Sequence, residues 1–153
     1  MPKHFNKIYS KHKAEKVFQI IADVEKYPEF LPWVAGARIL ERNQKENYFI
    51  AELLVHFKMF SHKYSSKVSL SYPNEASEIK SYKVKTDLVS GPFKHLHNNW
   101  IVTPANNGET EIIFELDFKF ENMLLEKLIG GLFDKATKKM TDAFLKRADS
   151  LII

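Results

Sequence analysis

The stretch Thr110-Glu111-Ile112-Ile113-Phe114-Glu115-Leu116-Asp117-Phe118-Lys119-Phe120 decides the architecture. Ile112, Phe114, Leu116, Phe118 and Phe120 fall on alternate positions, and Glu111, Glu115, Asp117 and Lys119 fill the places between them, broken only by Ile113. A period of two puts the two sets on opposite faces of a strand, one dry and one wet. A sheet with one dry face needs cover, and the next segment supplies it. From about Asn122, a residue type suited to an N-cap, the residues Ile129, Leu132, Phe133, Ala136, Met140, Ala143, Phe144 and Leu151 form one helical stripe. Roughly 30 residues at ~1.5 Å each make a rod of about 45 Å, long enough to cross a whole sheet. The closing helix is therefore expected to lie across the concave face, against Phe114, Leu116 and Phe118.

Upstream, turn residues recur at the spacing of an antiparallel meander between Gly36 and Phe120: Asn43 to Asn47, Met59 to Ser61, Pro73 to Glu75, Ser90 to Pro92 and Ala105 to Gly108. Before the meander, Ala14, Val17, Phe18, Ile21 and Val24 recur at spacings of three and four, opposite Glu15, Lys16 and Asp23, which predicts an amphipathic helix. His4 to Ser10 reads as an opening strand. Tyr27 to Val34 carries Pro28 and Pro32, so it holds at most a short helical turn. The order strand, helix, aromatic loop, meander, long helix is α+β. No repeat or linker divides the chain, and residues 1–153 are expected to form a single domain.

Composition narrows the chemistry. There is no cysteine, which removes disulfides, thiolate metal sites and thiol nucleophiles. Twelve Phe, six Tyr and two Trp among 153 residues point to a large aromatic core or an aromatic-lined pocket. No apolar run reaches the roughly 18 residues of a membrane span. The net charge of +4 permits contact with anionic lipid or RNA, although the lysines are spread along the chain.

Four strings carry a family resemblance: residues Val17 to Trp33 (VFQIIADVEKYPEFLPW), Tyr64 to Val68 (YSSKV), Gly91 to Trp100 (GPFKHLHNNW) and Met140 to Ala148 (MTDAFLKRA). With the order of elements, they resemble the START-like, or polyketide cyclase/dehydrase, superfamily and its coenzyme Q-binding branch. The resemblance implies a helix-grip fold, in which a curved antiparallel sheet wraps a long C-terminal helix around an apolar cavity. It also implies a non-enzymatic protein that binds a polyprenyl quinone such as ubiquinone, as carrier or chaperone for respiratory electron transport. The same branch includes ribosome-association toxins, which makes a regulator limiting ribosomal subunit association the alternative. A mitochondrial member is expected to begin with a basic, Ser-rich transit segment. Here the first strand begins within a few residues of Met1, which reads as a bacterial, cytoplasmic protein, with the matrix side of the inner membrane expected for a mature eukaryotic form.

Strand alternation proposes the cavity wall: Ala51, Leu53, Val55 and Phe57; Tyr64, Ser66, Val68 and Leu70; Leu96, Asn98, Trp100 and Val102; and Ile112 to Phe118. The ligand-binding set drawn from it and its surroundings is Phe30, Leu31, Trp33, Leu53, Val55, Tyr64, Ser66, Val68, Leu96, Asn98, Trp100, Phe114, Leu116, Phe133 and Met140. Tyr64, Ser66, Asn98 and Trp100 put polar groups on a dry face, where each needs a partner in the protein or in a ligand. Phe30, Leu31 and Trp33 either plug one end of the core or dip into a membrane interface as a peripheral contact. Gly130-Gly131, costly inside a helix, is either a hinge, a place of close ligand approach or a seat for a bulky side chain such as Trp100.

Other chemistries find less support. His95 and His97 share a strand face, but no carboxylate is near them in sequence, and solvated histidines are the preferred reading over a metal site. No serine sits in a nucleophile frame, no acid/base pair for a cyclase is evident, and the five glycines form no phosphate loop. Lys135, Lys138, Lys139, Lys146 and Arg147 on the last helix offer a positive surface to a ribosome, or are simply a solvated face. DNA is not an expected partner.

Overall fold

The computed structural model describes residues 3–57, 60–74 and 80–151, without the side chains of residues 57, 60, 129–130 and 132–134. Met59 and Glu75, both predicted turn residues, Gly130, and the side chains of Phe57, Ile129, Leu132 and Phe133 therefore lie outside the described residues. Seven strands, β1 (Lys3–Ser10), β2 (Val34–Asn43), β3 (Tyr48–Phe57), β4 (Phe60–Ser71), β5 (Tyr82–Ser90), β6 (Phe93–Pro104) and β7 (Thr110–Phe120), make one antiparallel sheet in the order β1-β7-β6-β5-β4-β3-β2. Helix α1 (Ala14–Ala22) and a 3-10 helix (Val24–Glu29) connect β1 to β2, and α2 (Met123–Leu151) closes the chain. This is the α+β helix-grip arrangement: a curved sheet with a long helix against its inner face. No described helix is long and apolar enough to cross a membrane.

The local chemistry explains the elements. Along β7 the burial alternates without a break, and Thr110, Ile112, Phe114, Leu116, Phe118 and Phe120 all face inward. Ile113 stays on the outer face with the charged residues, so the one interruption in the pattern costs no register. In the β2–β3 turn, Asn47 takes a left-handed backbone (φ 55°), a conformation asparagine tolerates better than most residues. Asn122 caps α2, its Oδ1 accepting from the Leu125 amide at 2.9 Å. Ala14, Val17, Phe18 and Ile21 bury one face of α1 as the spacing predicts. The proline-bearing segment forms only the short 3-10 helix, with Pro28 inside it.

Helix α2 departs from the predicted stripe in two ways. Leu151 is 55% exposed, at the helix end beyond the sheet, whereas Thr137, Thr141 and Ala148 are buried instead. The buried line follows small residues because α2 lies close to β1 and α1: the Asn6 amide donates to Thr141 Oγ1 at 2.8 Å, and buried His12 Nε2 lies 2.8 Å from Asp149 Oδ1. A close approach favours small side chains with a hydroxyl over large apolar ones, a preference that periodicity does not reveal.

Gly131 does not seat a bulky side chain. A Cβ placed there would meet nothing within 4 Å, so packing against Trp100 is excluded at this position. Gly131→Ala is expected to raise stability by about 1 kcal/mol through helix propensity. Thermal denaturation checks it, and a lowered melting temperature would mean that the glycine serves a conformation other than this helix.

Candidate functional site

Three strands, β4, β5 and β6, bring the inner-face polar groups together. The ladder runs Phe49–Val68–Thr86–Asn98–Leu116 across β3, β4, β5, β6 and β7, and a second runs Leu70–Val84–Trp100–Phe114 beside it. Because facing residues in register share a side of the sheet, Thr86 and Asn98 stand together among Val68, Val84 and Trp100. The 3-10 helix and its exit roof this region with Val24, Tyr27, Leu31, Trp33 and Val34, while α2 contributes Met140 and Phe144. The enclosed space is small, about 80 Å³.

Ten of the residues expected at the ligand site line this cavity: Leu31, Trp33, Leu53, Val55, Tyr64, Ser66, Val68, Asn98, Trp100 and Met140. Phe30, Leu96, Phe114 and Leu116 do not. Phe30 points away from it, edge-on to Phe144 at 5.0 Å and beneath the Arg147 guanidinium at 5.1 Å. Leu96, Phe114 and Leu116 are buried, but in solid packing: Phe114 lies 4.5 Å from the Trp100 ring, and Leu96 pairs with Phe118 in the Phe93–Phe118–Phe120 cluster. Alternation identified the correct face; which part of it is hollow depends on where the helices lie. Phe133 is outside the described side chains. The sequence reading missed Val24, Tyr27, Val34, Val84, Thr86 and Phe144 as wall residues. The period-two run Val84, Thr86, Leu88 in β5 was the available signal for two of them.

The cavity wall carries no charged side chain among the described residues: no carboxylate, histidine, lysine or arginine. The Tyr27 hydroxyl donates to the Ile21 carbonyl, and burial raises the Tyr27 and Tyr64 phenols well above the usual tyrosine range, so both remain neutral. Asn98 Oδ1 is buried and has no hydrogen-bond partner. Such an atom loses its hydration without compensation unless a ligand donor reaches it. Asn98→Leu, which removes the orphaned acceptor and fills part of the hollow, is expected to stabilise the fold by about 1 kcal/mol. A chemical denaturation curve with a lower midpoint than wild type would contradict this.

Outside the cavity, the loop is fixed rather than free. Leu31 is 2% exposed, and Arg147 Nη2 donates to Glu29 Oε1 at 2.8 Å, holding the Glu29 carboxyl below the usual carboxylate range. Leu31 therefore plugs the core end, Phe30 and Trp33 pack half-buried against it, and Arg147 belongs to this clamp more than to an open basic surface. On the sheet's outer face, His95 and His97 stack at 5.9 Å, as expected for one face of a strand. Tertiary pairing gives them the carboxylates that sequence proximity did not: His95 Nε2 lies 3.1 Å from Asp117 and His97 Nδ1 2.6 Å from Asp87. No group of three or more His, Cys, Asp or Glu residues able to hold a metal ion occurs among the described residues.

Comparison with known proteins agrees with this geometry. A protein of Rickettsia prowazekii named ribosome association toxin RatA is 40% identical over 141 residues, 92% of each chain. A mitochondrial coenzyme Q-binding protein of Xenopus laevis, COQ10 homolog B, is 30% identical over 88% of this chain and 52% of its own. A START superfamily protein from Mycobacterium smegmatis superposes with a TM-score of 0.77 at 20% identity, covering 97% of this chain and 98% of its own. The family model described as polyketide cyclase/dehydrase and lipid transport matches residues 10–145. The chain belongs to the polyketide cyclase/dehydrase and lipid transport family, with the START-like fold.

Proposed function

We propose that this protein associates with ribosomes and limits subunit association, acting by binding and without catalysis. The observation that carries the reading is the 40% identity across 92% of the chain to a protein named as a ribosome association toxin. The small cavity supports it: about 80 Å³ lies far below the roughly 300–1,000 Å³ of pockets that bury drug-sized ligands, and a polyprenyl tail is larger still. The described wall holds no carboxylate, histidine, lysine or arginine, and burial keeps its Tyr27 and Tyr64 phenols neutral, which favours binding over acid–base chemistry. This reading places the protein in the cytoplasm. Sucrose-gradient sedimentation tests it. Purified protein is expected to travel with ribosomal particles and to shift intact ribosomes towards free subunits, and an unchanged profile with the protein left at the top would overturn the proposal.

A second reading keeps the quinone. It is supported by the more distant coenzyme Q-binding relative, and the orphaned Asn98 Oδ1, an acceptor, would be met by a hydroxyl of the reduced quinol and not by a quinone carbonyl. It requires the cavity to open by displacement of α2 or the 3-10 segment. Mass spectrometry of lipid extracted from the purified protein decides it: a stoichiometric quinone, depleted in Asn98→Leu, is the expected result, and a lipid-free extract would rule it out.

A further inference from the structure

The outer face of the sheet is electrostatically lopsided. On its β4–β5 half the outward positions hold Lys63, Lys67, Lys83 and Lys85, all exposed, against the single carboxylate Asp87. That carboxylate is already engaged by His97 at 2.6 Å and approached by Lys85 at 3.9 Å. On the β7–β1 half of the same face, Glu111, Glu115 and Asp117 balance Lys3, Lys7 and Lys119. On β4 the outward residues beside the lysines are Ser65, between Lys63 and Lys67, and Ser69 and Ser71 beyond Lys67, short hydroxyl side chains that leave the sheet low around the cations. The Lys67 ammonium sits 4.3 Å from the centroid of the half-buried Tyr48 ring on the neighbouring strand.

We infer that the β4–β5 face is an RNA-binding surface, with Lys63, Lys67, Lys83 and Lys85 contacting phosphates and Tyr48 offering a ring to an unpaired base. Strand geometry sets the lysines in two adjacent rows about 4.8 Å apart, with about 7 Å between Lys83 and Lys85 on β5 and about 13 Å between Lys63 and Lys67 on β4. That density of cations suits a polyanionic backbone, and binding would release counterions. A bilayer requires a cluster of apolar groups to insert, and this face presents only Val89, at the end of β5; the exposed apolar cluster Met123, Leu124 and Leu128 is on α2 instead. A protein interface of ordinary composition would have an apolar centre poor in lysine. The surface rests on the ribosome reading for its physiological partner, but its chemistry is testable without it.

The experiment measures binding of the full chain to protein-free ribosomal RNA across a salt series, alongside anionic phospholipid vesicles. Lys67→Gln/Lys85→Gln is expected to weaken RNA binding roughly 10-fold or more and to lower the slope of log K against log salt by about 2. Lys3→Gln/Lys7→Gln, which removes the same charge from β1, is expected to leave both close to wild type. Equal losses in the two variants, no RNA binding by wild type, or binding to vesicles in place of RNA would each overturn the inference. Ribosome sedimentation run in parallel separates the two proposals. Co-sedimentation retained by Lys67→Gln/Lys85→Gln overturns the surface and leaves the ribosome reading intact. Lysine-dependent RNA binding by a protein that never travels with ribosomes does the reverse.

Discussion

Trp100→Ala is expected to destabilise the protein by about 3–5 kcal/mol, among the largest effects of any single substitution. The indole is 3% exposed and joins three elements: its ring lies 4.5 Å from Phe114 on β7 and 4.8 Å from Phe144 on α2. Its removal would enlarge the cavity it lines and would unseat α2 from the sheet, so transfer and cavity costs add. For a chain of this size each kcal/mol moves the melting temperature by about 2–4 °C, which predicts a fall of roughly 6–20 °C in calorimetry. Trp100→Phe, which keeps an aromatic between Phe114 and Phe144, should recover much of the loss. A shift of only a degree or two for the alanine variant would mean that α2 is held elsewhere.

Gly91→Ala should cost about 2–3 kcal/mol although it adds only a methyl group. Gly91 lies in the turn between β5 and β6 with φ at +156°, and a Cβ there would stand 2.5 Å from the Tyr64 Cβ and 3.4 Å from its Cα. The clash is with the root of a side chain beside backbone, so no rotamer change relieves it, and β4 would have to move away from the turn. Tyr64 also lines the cavity, so the damage should reach the site. The check is twofold: a lowered denaturation midpoint and a changed near-ultraviolet aromatic spectrum. Gly108→Ala is the control, because that glycine has φ +82° but nothing within 4 Å of an added Cβ, leaving only backbone strain. Equal costs at the two sites would remove steric approach as the cause at Gly91.

The sequence by itself determined the strand faces, the helix positions and the α+β order, because these follow from periodicity and local chemistry. The alternation of Ile112, Phe114, Leu116, Phe118 and Phe120 survives one misplaced isoleucine, and Asn122 caps the last helix through its own side chain. Local signals also placed Asn98 and Trp100 on the inner face and ten residues on the cavity wall. What only the tertiary structure decided was where that face is hollow and where it is solid. Phe114 and Leu116 share the alternation of a wall residue but are covered by packing, while Thr86, two strands away on β5, meets the cavity. The partners of His95 and His97 are likewise residues of neighbouring strands, brought within 3.1 Å and 2.6 Å by cross-strand register. The lysine-rich half of the outer face emerges only when β4 and β5 lie side by side, since in the chain their lysines are dispersed. Periodicity reports which way a side chain points, and it is the docking of helices and the pairing of strands that determine what it meets there.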